Sequence, residues 1–271
     1  MRFRPSRILS LSIAALAAML LGTRTAPAQE TTGDELYCQL NSALATGKFI
    51  REKAQCIENC QKQAFVNQVT ANCGPPYSGS LQGCVNSAEG KAHGSIHSAC
   101  AQDCPECYAS TDCDSNGNTR VADAEAHVEA LAGDFFCDDS ASVGGLTLSE
   151  FKCQRTVRKF ITAFAAAKLK CYAKCRKAEI GGKAAPGSCG PPVTYQKAID
   201  CITKAELKAG TAIDNKCESS VNPSADKPEC GLYPTRNGAA WVAAEEAEVD
   251  SRAPALFCND TTTTTTTTTM P

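Results

Sequence analysis

Eight cysteines, spaced in one pattern and then spaced that way again, constrain this chain more than anything else in it. Cys38, Cys56, Cys60, Cys73, Cys84, Cys100, Cys113 and Cys137 follow one another at 18, 4, 13, 11, 16, 13 and 24 positions. Cys153, Cys171, Cys175, Cys189, Cys201, Cys217, Cys230 and Cys258 follow at 18, 4, 14, 12, 16, 13 and 28. Other residues keep the same register. Cys73-Gly74-Pro75-Pro76 matches Cys189-Gly190-Pro191-Pro192, and Phe136-Cys137 matches Phe257-Cys258. Val121, Ala122, Glu125, Ala126 and Val128 match Val242, Ala243, Glu246, Ala247 and Val249. Coincidence on this scale identifies a tandem repeat. Each copy is long enough for one modest core.

Residues 1–28 read as a signal peptide: Arg2, Arg4 and Arg7, an apolar run from Ile8 to Leu21, and an Ala26-Pro27-Ala28 cleavage site. The run is too short for a membrane span, and no later apolar stretch reaches that length. Once the leader is cut, no transmembrane segment remains. All 18 cysteines lie beyond the cut, so the expected setting is oxidising: secreted, periplasmic or cell-surface, with the cysteines in disulfides. The formal charge is −2, and removing the four leader arginines (Arg24 is the fourth) takes it to −6. Residues 29–137 hold 14 acids and 6 bases, whereas 150–271 hold 13 acids and 17 bases. Aromatics are 6% of the chain and Trp241 is the one tryptophan. A core so poor in large rings leans on its bridges, each contributing roughly 2–4 kcal/mol.

The fold class is all-α: two tandem disulfide-stapled helical domains, each an antiparallel helical hairpin plus a shorter helix. The boundaries are 29–137 for the first, a linker at 138–146, and 147–258 for the second. Each copy opens on a capping box, Thr32 with Glu35 and Thr147 with Glu150. Long helices follow at about 35–66 and 150–180. In the second, Cys153, Val157, Phe160, Phe164, Ala167, Cys171 and Cys175 form one apolar stripe, and Phe49 sits where Phe164 does. Gly-Pro-Pro ends each long helix. Second helices are expected at about 80–104 and 194–217, and third ones at about 120–132 and 239–252. Residues 259–271, with nine threonines from Thr261 to Thr269, form a solvated tail.

Spacing also suggests the pairing. At roughly 1.5 Å per residue, Cys38 to Cys56 spans about 27 Å of helix and Cys84 to Cys100 about 24 Å. An antiparallel hairpin therefore favours Cys38–Cys100, Cys56–Cys84 and Cys60–Cys73, leaving Cys113–Cys137. In the second copy the scheme gives Cys153–Cys217, Cys171–Cys201, Cys175–Cys189 and Cys230–Cys258. Cys104 and Cys107 have no counterparts, and their CxxC spacing reads as a local structural disulfide or, alternatively, a redox couple.

Asp112-Cys113-Asp114-Ser115-Asn116-Gly117-Asn118, continuing to Asp123, has oxygen ligands at loop positions 1, 3 and 5, glycine at 6 and an acid at 12. That is calcium-loop spacing, set against the plain reading of a polar turn. His93 and His97 lie i, i+4 on one helix, but their counterparts are Gly210 and Asp214, so a polar face is favoured over a metal pair. His127 is the third histidine. Hydrolase motifs such as HExxH and GxSxG are absent. Lys152, Arg155, Arg158, Lys159, Lys168, Lys170, Lys174, Arg176 and Lys177 form a basic stretch. It reads as a solvated helix face, a polyanion contact, or a surface docked on the acidic first copy.

The CxxxC helices with Lys/Ala-rich faces, as in Lys168-Leu169-Lys170-Cys171-Tyr172-Ala173-Lys174-Cys175, resemble exported cysteine-rich helical repeats of environmental bacteria. Poly-Thr segments and Asp/Asn/Gly loops belong to the same resemblance. The Asp112 loop, followed by a helix, is similar to that of dockerin modules, which implies Asp112, Asp114, Asn116 and Asp123 as side-chain calcium ligands and Asn118 as a backbone one. The functional expectation is an exported, non-enzymatic structural or binding module whose partner is an extracellular or cell-surface protein or a polyanion. The alternatives are a calcium-dependent assembly module and a thiol-disulfide oxidoreductase using Cys104 and Cys107.

Overall fold

Both capping boxes form. In each, the threonine hydroxyl accepts the backbone N–H three residues on and the glutamate accepts the threonine N–H, at 3.1 and 2.8 Å for Thr32/Glu35 and 3.2 and 2.7 Å for Thr147/Glu150. The computed structural model describes residues 32–67, 72–114, 119–136, 146–218, 228 and 232–258. Residues 1–31, which include the expected leader, nearly all of the expected linker at 138–146, and residues 259–271 lie outside them. The first half comprises α1 (Gly33–Asn67), α2 (Gly79–Cys100), a 3-10 turn (Ser110–Cys113) and α3 (Thr119–Phe136). The second comprises α4 (Leu148–Ile180), α5 (Gln196–Cys217) and α6 (Gly238–Phe257). Among the described residues all regular structure is helical, and no helix is long and apolar enough to cross a membrane.

The halves belong to one compact unit that begins at Thr32, and one large hydrophobic core spans both, with a small second cluster at Cys175, Cys189 and Ala198. Its spine is α1 against α4. Phe65 stacks on Phe151 at 4.4 Å, Glu58 meets Arg155, and Gly47 lies against Ala166. Numbers rise along one helix as they fall along the other, so the two run antiparallel. Near the middle of that ladder the matched pair Phe49 and Phe164 are both buried. Gly47, a helix-weakening residue on propensity alone, is needed there: a Cβ on it would stand 3.0 Å from the Ala166 Cα. Around the spine, α2 packs on α1 and α5 on α4, while α3 lies on α1 and α6 on α4 and α5.

Polar contacts also tie the halves together. The Tyr108 hydroxyl donates to the Leu256 carbonyl at 2.7 Å, and Tyr233 donates to the Phe135 carbonyl at 2.8 Å. Glu58, fully buried, accepts from both Arg155 and Arg158. Of the three readings of the basic stretch, docking on the acidic first half thus accounts for these two arginines.

Candidate functional site

The described cysteines form eight bridges, and none of them is free. The six bridges within the helical hairpins are those expected from helix rise, Cys38–Cys100, Cys56–Cys84, Cys60–Cys73, Cys153–Cys217, Cys171–Cys201 and Cys175–Cys189. The remaining pairing needs correcting. Cys113 is bonded to Cys104 rather than Cys137, and Cys258 to Cys107 rather than Cys230. These cysteines sit in loops and at a helix end, where no rise per residue limits the choice, and tertiary contact decides. Cys137 and Cys230 lie outside the described residues. Cys104 and Cys107 are therefore neither a local disulfide nor a couple bonded to each other, the state an oxidised CxxC would show.

Three of the five calcium-loop residues, Asp112, Asp114 and Asp123, lie among the described residues. Asp112 is buried in the 3-10 turn, where its carboxylate accepts the Ala109 N–H at 3.0 Å and pairs with Arg120 at 3.2 Å. The Arg120 guanidinium lies over the Tyr108 ring, 4.6 Å from its centroid. A cation already faces Asp112, then, and it belongs to the chain. Asp114 and Asp123 are exposed, and Asn116 and Asn118 lie outside the described residues. Among the described residues, one group of three ligating side chains brings its atoms within 4.8 Å: Cys38, Cys100 and Cys113, all in bridges. His93 and His97 both lie on α2, and His127 lies on α3. The His97 ring is 3.0 Å from the Cys113 carbonyl, His93 is half-buried, and His127 is buried with Nε2 2.9 Å from Glu245.

Sequence reasoning missed a charged node built the same way in each half. Lys53 of α1 is wholly buried, its ammonium 2.5 Å from Glu125 and 2.8 Å from Glu129 of α3. Lys168 of α4, at the matching position, is 2.6 Å from both Glu246 and Asp250 of α6. Each node includes one more acid from its second helix. Burial, then the hydrogen bond and charge of Glu125, push Glu89 up to about 7. Burial, then the charge and hydrogen bond of Glu246, push Glu206 up likewise. Burial also pushes Glu125 upward, but the hydrogen bond and charge of Lys53 outweigh it and hold Glu125 below its ordinary value. The available signal was the register itself, which pairs Lys53 with Lys168 and Glu89 with Glu206. Lys168 is no part of a solvated face, because α6 covers it.

Among the described residues a cleft of 970 Å³ opens where the two hairpins meet over the α1–α4 spine. Lys48 and Arg51 of α1, Lys91 of α2, Arg158 and Lys159 of α4 and Lys208 of α5 line it, against one lining acid, Glu52. Glu52 lies 3.7 Å from Lys48 and 3.9 Å from Lys91. Burial, and after it the charge of Arg51, lowers Arg158 to about 10. Lys91 and Lys208 occupy matching register positions on opposite walls, as do Ala88 and Ala205, so the cleft is a product of both halves. Its apolar lining comes from Phe160, Phe164, Ala163, Ala167 and the Cys56–Cys84 bridge. No family model, curated protein or solved structure matches this chain.

Proposed function

We propose that this protein is an exported, non-enzymatic binding module that holds an anionic ligand in the cleft between its halves. The observation that carries the reading is the lining: five lysines and arginines besides the Glu58-bound Arg158, with one acid among them, on a chain whose formal charge is negative. A positive cleft with partly apolar walls, on a chain of net negative charge, focuses the field on its mouth. The leader-like residues 1–28, the density of bridges and the resemblance to exported cysteine-rich repeats support an extracytoplasmic setting. Arg120 in the place of a cation beside Asp112 weighs against the calcium-dependent alternative, and the separate partners of Cys104 and Cys107 weigh against the oxidoreductase.

Retention on immobilised heparin tests the charge reading. Lys159→Glu with Lys208→Glu should elute at clearly lower salt than wild type, because opposite charges attract in the cleft and salt screens them. Lys152→Glu with Lys174→Glu, exposed residues of α4 outside the cleft, should elute close to wild type. Equal effects from the two pairs, or no retention of wild type, would remove the cleft as the anion site.

A further inference from the structure

The charged rim does not describe the whole cleft, and its floor narrows the ligand. Between the basic walls lie alanine methyls and phenylalanine rings: Ala163, Ala167, Ala205 and Phe160, all half-buried, over buried Ala88 and Phe164. Thr162, the lining hydroxyl on α4, already donates to the Arg158 carbonyl at 2.9 Å. The other uncharged polar side chains of the lining are Ser87 and Gln55, whose oxygen already accepts from Arg158 at 3.0 Å. A sugar polymer, which needs hydrogen-bond partners along its length, would therefore find few free ones on such a floor. A hydrocarbon body needs none, and burying it releases water from both surfaces. The volume also suits a small molecule, since pockets for such ligands run from about 300 to 1,000 Å³ and are mostly apolar with a few placed polar groups.

Taking the anion-binding reading as its premise, we infer that the cleft binds an anionic amphiphile, a single alkyl chain ending in a carboxylate, sulfate or phosphate. The chain lies along the alanine and phenylalanine floor, and the head group rests against the lysine and arginine rim. The two-sided origin of the cleft fits such a ligand. The matched pair Ala88 and Ala205 bring apolar surface from both hairpins, and Lys91 and Lys208 bring a cation to each wall.

Equilibrium dialysis with radiolabelled laurate, kept below its micellar concentration, provides the test on the full mature chain. Laurate should bind saturably. Butyrate, which shares the head group, should bind at least about 100-fold more weakly, as the loss of several buried methylenes requires. Dodecyltrimethylammonium, which shares the chain, should show no saturable binding. Ala163→Leu with Ala205→Leu, which fills the floor, should abolish laurate binding and leave heparin retention intact, a readout that also reports folding. In the wild-type chain, heparin retention without laurate binding would overturn the amphiphile and leave the anion reading standing. Absence of both from the wild-type chain would overturn both. Laurate binding that survives the filled floor, or equal binding of dodecyltrimethylammonium, would place the ligand elsewhere and overturn the inference.

Discussion

The Lys53 and Lys168 nodes hold the same charges and complete them differently. In the first half the fourth partner is Tyr77, from the loop after the Gly-Pro-Pro turn, whose hydroxyl donates to Glu129 at 2.9 Å. In the second it is Tyr172, from the long helix, donating to Asp250 at 2.6 Å. Register would place Tyr77 opposite Val193 and Tyr172 opposite Ile57, so neither tyrosine has a counterpart. The buried ammonium requires that its carboxylates be held, and a tyrosine from either direction serves, even with one carboxylate shortened from Glu to Asp. Conserved chemistry in this fold is a property of a place in space before it is a property of a column in the repeat.

The third helices differ more. Helix α6 leans on α5 through two glycines, and a Cβ on Gly238 would fall 2.2 Å from the Gly210 carbonyl oxygen. The Gly238 N–H donates to Asp214 at 2.6 Å, so Asp214 ties the start of α6 to α5. In the first half these α5 positions are His93 and His97, and α3 touches α2 only lightly. The histidines without counterparts are thus explained by packing: they stand where the second half clears space for a helix.

The strongest way to break the equivalence of the nodes is to strip their acids. Glu125→Gln with Glu129→Gln takes from a fully buried ammonium both carboxylates it pairs with, leaving Glu89 as the node's one acid, and a loss of about 3–5 kcal/mol is expected. Glu246→Gln with Asp250→Asn should lose a similar amount, both read from guanidinium unfolding. Because the halves share a core, each should shift one cooperative transition. A large loss for one pair and almost none for the other would end the equivalence.

The asymmetry of the third helices can be sharpened with two conservative changes. Gly238→Ala should destabilise by about 1–3 kcal/mol through overpacking. Gly210→Ala meets nothing nearer than 3.5 Å, so its helix propensity should show as a gain of up to about 1 kcal/mol. Equal responses in thermal melts would mean that the glycine contact does not set the docking.

The smallest effect concerns pH. Glu89 is raised when folded to about 7 from 4.5. Its contribution is therefore complete below 4.5 and declines as pH rises through about 7, where an ionised Glu89 faces Glu125. Glu89→Gln removes that decline, so the variant should gain melting temperature relative to wild type between about pH 5 and 8. Parallel curves across that range would show that Glu89 does not titrate in the node.

Helix content, the capping boxes and six of the bridges were legible in the sequence because each depends on short-range geometry. A threonine three residues before a glutamate caps a helix, and 1.5 Å per residue brings particular cysteines abreast. The partners of Cys104, Cys107, Cys113 and Cys258 were not, since loops impose no such ruler. Nor could sequence distinguish Lys168 inside its node from Lys159 on the cleft wall: both are lysines on one helix, and the distinction arises only where α6 covers one face and leaves another open. The cleft itself belongs wholly to tertiary structure. It exists because α2 packs on α1, α5 on α4, and α1 on α4, which brings Lys91 and Lys208, 117 residues apart in the chain, onto opposite walls of one space.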